Sequence, residues 1–280
     1  MGPCMGVKRA MEMAMDAAAR AGPEGVYTLG PLIHNPQAVA ELEAAGVRGL
    51  SEGEIDGRVE GRKVVLRAHG VPPDLRERLA SLGAMIVDAT CPRVLASQKR
   101  AAAYAAKGWQ VVIAGEKGHG EVTGIAGHAP GALVAGSPEE ARALADRLRR
   151  EAPGGARPVA LIAQTTITRE EYEAIRAALD ESLTQLEAVD SICPCTEDRL
   201  RALTELAAEV DAIVVVGGRN SANTARLLAT ARALGRPAWL VETASELPAE
   251  LRDYGRIGLA AGASTPERLI AEVEAALLGP

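Results

Sequence analysis

The chain has 280 residues, 48% of them apolar and 24% charged, which is enough for an ample core in one large domain or in two to three small ones. A net charge of −6, only 2% aromatic residues and no Phe exclude the basic footprint and the stacking platform of a nucleic-acid binder. No uninterrupted apolar run of about 18 residues exists, and Lys8, Arg9, Glu12 and Asp16 interrupt the Met-rich start, so a cytoplasmic protein with no membrane span and no signal peptide is expected.

Helical spacing of Val7, Ala10, Met11, Ala14 and Ala18 predicts a helix over 5–21, stopped by Gly22-Pro23. A short strand over 25–30 leads into the loop Pro31-Leu32-Ile33-His34-Asn35-Pro36, and a helix follows over 37–45. The apolar run 63–68 is the next clear strand; it stops at His69-Gly70, and Pro72-Pro73-Asp74 opens a helix to about Leu82. The strand over 84–87 ends at Asp88-Ala89-Thr90-Cys91-Pro92. A helix over 94–107 and a strand over 110–114 then deliver the turn Gly115-Glu116-Lys117-Gly118-His119-Gly120-Glu121. Beyond a polar loop over 151–158, the strand 159–163 ends at Gln164-Thr165-Thr166, and Thr168 with Glu171 forms a capping box for the next helix.

The last third opens at Cys193 with a helix to about Glu209. A strand over 212–216 ends at a turn holding Asn220-Ser221-Ala222-Asn223, after which come a helix and strands over 238–241 and 257–260. Gly262-Ala263-Ser264 precedes a closing helix. Strands alternate with helices throughout, so the class is α/β with parallel sheets. Cys4, Cys91 and Cys193 lie roughly 90 to 100 residues apart, each opening a new third, which implies three similar α/β lobes over 1–91, 92–192 and 193–280 as a degenerate repeat around a shared centre.

Four cysteines are too few for a disulfide scaffold; in a reducing compartment such thiols are free, metal-bound or catalytic. A structural zinc normally takes four ligands, often paired at short spacing, and no C-x-x-C pair exists here. An iron–sulfur cluster can be assembled from distant cysteines, and three thiolates on a four-iron cube leave one iron open as a Lewis acid and electron donor. The competing reading is three small buried hydrophobes. Cys195 stands two residues from Cys193, either as a fourth ligand closing the site or as a nearby thiol outside it.

His34, His69 and His119 all sit where strands or their following loops end, whereas His128 carries no accompanying pattern and reads as structural. Imidazoles donate hydrogen bonds and, when protonated, offset phosphate charge. Thr165, Ser221, Asn223 and Ser264 lie in strand-to-helix turns, either as an anion site or as helix caps; Ser264 with Glu267 matches a capping box. Together they point to a small phosphorylated ligand, since no Walker A or Gly-x-Gly-x-x-Gly turn is present. Glu121, in its Gly-rich turn, is either a proton donor tuned by burial or an exposed loop carboxylate.

In this order, Gly2-Pro3-Cys4-Met5-Gly6-Val7-Lys8-Arg9-Ala10, His34-Asn35, Ala68-His69-Gly70-Val71, Asp88-Ala89-Thr90-Cys91-Pro92, Gly118-His119-Gly120-Glu121-Val122, Gln164-Thr165-Thr166, Ile192-Cys193, Asn220-Ser221-Ala222-Asn223 and Gly262-Ala263-Ser264 resemble the 4-hydroxy-3-methylbut-2-enyl diphosphate reductase (IspH/LytB) family of the non-mevalonate isoprenoid pathway. The resemblance implies a trefoil of three α/β lobes around a [4Fe–4S] cluster held by Cys4, Cys91 and Cys193. It also implies an allylic diphosphate held by His34, His69, His119, Thr165, Ser221, Asn223 and Ser264, with Glu121, Thr165 and His119 as the catalytic group. A ferredoxin or flavodoxin is then the electron donor for reductive dehydroxylation to isopentenyl and dimethylallyl diphosphates. The chain departs from the family at several positions: Gly-Pro-Cys replaces Gly-Phe-Cys, His-Gly-Glu replaces His-Pro-Glu, Ala222 stands where Ser is common, Leu200 where Gln is frequent, and Cys195 at a normally nonthiol position. Two other readings keep the thiols: an iron–sulfur paralogue acting on another substrate, and a non-catalytic redox sensor whose cluster Cys195 closes.

Overall fold

A computed structural model describes residues 2–21, 25–151 and 157–279. The expected helix stop at Gly22-Pro23 and most of the loop over 151–158 lie outside the described residues. Ten α-helices and eleven strands follow one another along the described chain, alternating except over 47–66 and 238–261, where strand follows strand, in the order α1 (Met5–Ala19), β1 (Val26–Leu29), α2 (Pro36–Ala44), β2 (Val47–Leu50), β3 (Lys63–Leu66), α3 (Pro73–Ser81), β4 (Met85–Asp88), α4 (Pro92–Ala106), β5 (Gln110–Ala114) and α5 (Gly120–Gly127). The series continues with β6 (Leu133–Ala135), α6 (Pro138–Glu151), β7 (Val159–Ala163), α7 (Arg169–Asp180), β8 (Leu186–Val189), α8 (Pro194–Glu209), β9 (Ala212–Val216), α9 (Ala222–Ala233), β10 (Ala238–Val241), β11 (Ile257–Ala261) and α10 (Glu267–Leu278). The strands fall into three sheets whose described pairs all run parallel, as expected of an α/β chain. No helix among the described residues is long and apolar enough to cross a membrane.

Two compact units result, Met1–Glu52 with Pro194–Pro280, and Gly53–Cys193. In the second unit β3 pairs with β4, and four strands take the order β6-β5-β7-β8. Successive side chains of a strand point to opposite faces, and here both faces are covered. Val112, Leu161 and Ala163 pack on one side with Ala141 and Ala145 of α6 and Tyr172, Ile175 and Leu179 of α7. Val111, Ile113 and Ile162 pack on the other with Ala101 of α4 and Val122 and Ile125 of α5. Apolar residues therefore run uninterrupted over 111–114 of β5 and along β7, which is why these strands stand out in the sequence.

In the first unit β1 pairs with β2, and the order β10-β9-β11 forms the second group. Ile213 and Val215 of β9 meet Leu203 and Ala207 of α8 and Leu227 and Ala231 of α9. Val214 and Val216 meet Val241, Leu251 and Val273 on the opposite face. In both units the strands are short, and their carboxyl ends open directly into helix N-termini, where an open parallel sheet binds ligands.

Candidate active site

Three strand ends hold three cysteines by the same hydrogen bond. The N–H of Cys91 donates to the carbonyl of Ala68, two residues beyond β3, and the N–H of Cys193 donates to that of Thr165, two beyond β7, each at 2.9 Å. In the first unit the N–H of Cys4 donates to the carbonyl of Ala263, two beyond β11, again at 2.9 Å. Each cysteine then immediately precedes a helix: α1, α4 or α8. The partial positive charge of a helix N-terminus suits a ligand that binds metal as an anion. All three thiols are half-buried and none is in a disulfide, so the donor set fits an iron–sulfur centre.

A continuous chain of contacts links the two cysteines of the second unit. His69, next to Ala68, meets His119 edge to face, with ring centroids 5.4 Å apart and planes at 84°. His119 is the N-cap of α5, and its Nδ1 accepts the N–H of Glu121 at 3.2 Å, which leaves the proton of the neutral ring on Nε2. Glu121 therefore lies in the first turn of a helix and not in an exposed loop; it is 1% exposed. Its carboxylate accepts the Thr165 N–H at 2.6 Å and the Thr165 hydroxyl at 2.7 Å. Burial pushes the Glu121 carboxyl up to about 7, against the two Thr165 hydrogen bonds that favour its charged form. An acid that titrates near neutrality can give a proton at physiological pH.

The first unit brings His34, Ser221, Asn223 and Ser264 to the ends of β9 and β11. A Cβ on Gly218 would lie 2.5 Å from the His34 carbonyl oxygen, so only glycine lets the His34-Asn35 segment approach. Ser264 does not cap a helix: α10 begins three residues later, behind its N-cap Pro266, and the Ser264 hydroxyl donates to the His34 carbonyl at 3.2 Å. Ser221 does cap, accepting the Thr224 N–H at 3.3 Å, which leaves its hydroxyl hydrogen to donate. Asn223 is 7% exposed, and its Nδ2 has no hydrogen-bond partner. A buried donor left unmade costs about 1–3 kcal/mol, and this amide has the chemistry to donate to an acceptor such as a phosphate oxygen.

Several residues named from the sequence make contacts that the sequence does not show. Gln164, 1% exposed, accepts the Glu116 N–H at 2.8 Å and donates to the Thr166 hydroxyl at 2.8 Å, tying the loop before α5 to the one that carries Thr165. Asn35 caps α2 through the Ala38 N–H at 3.0 Å while its buried Nδ2 lacks a partner. Its capping slot before Pro36 is visible in the sequence; the orphaned amide is not. Cys195 hydrogen-bonds Cys4 and accepts from Arg199 Nε at 3.4 Å, and these contacts lower its thiol from the ordinary range despite burial. Arg199 also donates to the carbonyls of Gly2 and Ala261, the strand end that precedes Ala263. His128, as expected, is structural: it caps α5 and bonds the Gly124 carbonyl at 2.8 Å.

A family model described as LytB protein matches residues 1–278. A 4-hydroxy-3-methylbut-2-enyl diphosphate reductase of Treponema denticola is 45% identical over 99% of this chain and 96% of its own length. The enzyme of the same name from Aquifex aeolicus is 36% identical over 98% of this chain and 92% of its own. Among solved structures, the E-1-hydroxy-2-methyl-but-2-enyl-4-diphosphate reductase of Plasmodium falciparum superposes with a TM-score of 0.86 at 26% identity, covering 96% of this chain and 83% of that one. A second, described as the terminal enzyme of the non-mevalonate pathway, gives a TM-score of 0.71 at 35% identity over 100% of this chain and 96% of that one.

Proposed function

The chain belongs to the LytB protein family, and from that premise we propose that it is a 4-hydroxy-3-methylbut-2-enyl diphosphate reductase, removing the allylic hydroxyl to yield isopentenyl and dimethylallyl diphosphates. The observation that carries the reading is the buried Glu121–Thr165 pair, whose threonine also receives the N–H of Cys193.

Cys4, Cys91 and Cys193, one from each of three lobes over 1–91, 92–192 and 193–280, hold a [4Fe–4S] cluster, which when bound supplies an iron lacking a protein ligand as Lewis acid and electron source. The substrate diphosphate is held by the Asn223 amide, by the Ser221 and Ser264 hydroxyls, and by His34, His69 and His119. Glu121 gives its proton to the departing hydroxyl, and the Thr165 hydroxyl fixes the carboxyl in place for that transfer. The overall change consumes two electrons and two protons: the C–O bond breaks, a C–H bond forms, and water leaves. A ferredoxin or flavodoxin supplies the electrons, and the protein works in the cytoplasm.

The test is anaerobic turnover with a chemical reductant, comparing wild type with Glu121→Gln at equal iron content. The proposal expects both five-carbon diphosphates from wild type and a kcat lower by about 10²–10⁴ in the variant. Equal rates would remove Glu121 from the role of proton donor.

A further inference from the structure

Residues 89–115 contain neither Asp nor Glu, in a chain of net charge −6. The stretch begins beside Cys91, spans α4 and β5, and carries Arg93, Lys99, Arg100 and Lys107, all exposed. None of these four forms an ion pair with a carboxylate among the described residues. Several other helices pair most of their cations, although Lys8 of α1 and Arg150 of α6 are exposed and without an ion pair among the described residues. Arg147 meets Glu151 and Arg149 meets Asp146 on α6, Arg176 meets Glu173 and Asp180 on α7, and Arg268 meets Glu272 on α10. The acid-free α9 turns Arg232 onto the Ala238 carbonyl, and Arg219 ahead of it pairs with Glu242 and Glu246.

The α4 cations also share a face. Arg93, Arg100 and Lys107 recur every seven residues, a spacing that drifts only about 20° per step and so lays them along one stripe of about 21 Å. Lys99 flanks the stripe. At its far end the Tyr104 and Trp109 rings meet at a tilt of 50° with centroids 5.2 Å apart, half-buried, and the Lys107 ammonium lies 5.8 Å from the Tyr104 ring. One carboxylate stands near this end, that of Glu187, which accepts the Tyr104 hydroxyl. Arginine with half-exposed aromatic rings is the composition favoured at protein interfaces.

We infer that the outer face of α4 docks an acidic electron-carrier protein, which delivers electrons at the Cys91 end of the helix. The inference rests on the reductase reading, because only a reductive reaction calls for such a partner. Each turnover takes two electrons, so a carrier that gives one at a time docks twice and leaves oxidised by one electron on each visit. The charge is matched to the partner's sign, and a stripe of this length fits the small interfaces of transient redox encounters.

The test uses anaerobic, cluster-loaded protein with purified reduced flavodoxin, an acidic carrier, as the probe. Arg100→Glu with Lys107→Glu should raise the KM for flavodoxin about tenfold or more and weaken its directly titrated binding by a similar factor, while dithionite-driven turnover stays within about twofold. Added salt should weaken wild-type binding and barely affect the variant. If the reversed charges disturb the far-ultraviolet circular dichroism, Arg100→Gln with Lys107→Gln gives the same comparison at half the charge change. Unchanged KM and unchanged binding would overturn the inference, as would a face that binds duplex DNA and not flavodoxin. Loss of dithionite turnover in wild type itself would count against the reductase reading, whereas the titrated binding reads the docking face separately.

Discussion

Glu121 and Thr165 are joined twice: the threonine donates its backbone N–H at 2.6 Å and its hydroxyl at 2.7 Å to one buried carboxylate. The same threonine offers its carbonyl to the N–H of Cys193, so the acid is registered against a cysteine through a single residue. Thr165→Val removes the hydroxyl and keeps both backbone bonds. A kcat lower by about 10–100-fold with little change in iron content is expected, with recovery in Thr165→Ser, read from steady-state kinetics and iron analysis.

The raised Glu121 carboxyl sets the pH dependence. Protonated below about 7, it is competent as an acid there, and kcat should fall as pH rises through about 7. Stability follows the same sign. The folded state holds this proton more tightly than the unfolded chain, so stability is greatest below about 4.5 and declines as pH rises to about 7, by on the order of 3 kcal/mol. Denaturant titrations across that window should show the decline in wild type and its absence in Glu121→Gln.

Changing Cys4, Cys91 or Cys193 to Ser should lower bound iron and the visible absorbance of protein prepared without oxygen, each singly. Cys195→Ala should keep both, since Cys195 touches Cys4 and Arg199 as a neighbouring thiol. A Cys195→Ala protein that sheds its iron as readily as Cys91→Ser would favour the closed cluster of a sensor.

The first unit makes a separate prediction. Asn223→Ala removes the orphaned amide and should raise the dissociation constant for the diphosphate substrate about tenfold in calorimetry, without a loss of stability. Gly218→Ala drives a Cβ to 2.5 Å from the His34 carbonyl and should cost about 1–3 kcal/mol in denaturant unfolding while weakening substrate binding as well.

The elements that sequence periodicity finds are those with continuous apolar runs, such as β5, β7 and β9, buried on both faces. The missed strands lack that signal, whereas the missed helix α6 carries a helical spacing of Ala141, Leu144, Ala145 and Leu148. Strand β2 reads Val-Arg-Gly-Leu with its centre exposed, β6 has three residues, and β8 alternates weakly. Helix α5 opens on Gly120 within a Gly-rich segment, and a turn reading there hides the very helix that buries Glu121. The Thr168–Glu171 capping box is present as read, because its chemistry is local. The Ser264–Glu267 pattern is not one, since Pro266 sets the helix start and draws the serine to a partner 230 positions away. The three cysteines stand out by position alone, but the shared bond from each to a strand end joins residues distant in sequence and becomes visible only in the fold.

The most direct test incubates cluster-loaded protein without oxygen with dithionite, a mediator and 4-hydroxy-3-methylbut-2-enyl diphosphate, and separates the products chromatographically. Isopentenyl and dimethylallyl diphosphates formed in step with substrate loss, and nearly abolished in Glu121→Gln, are the predicted result. Fully loaded wild-type protein that leaves this substrate intact would contradict the account and shift it to a paralogue of other specificity or to a sensor.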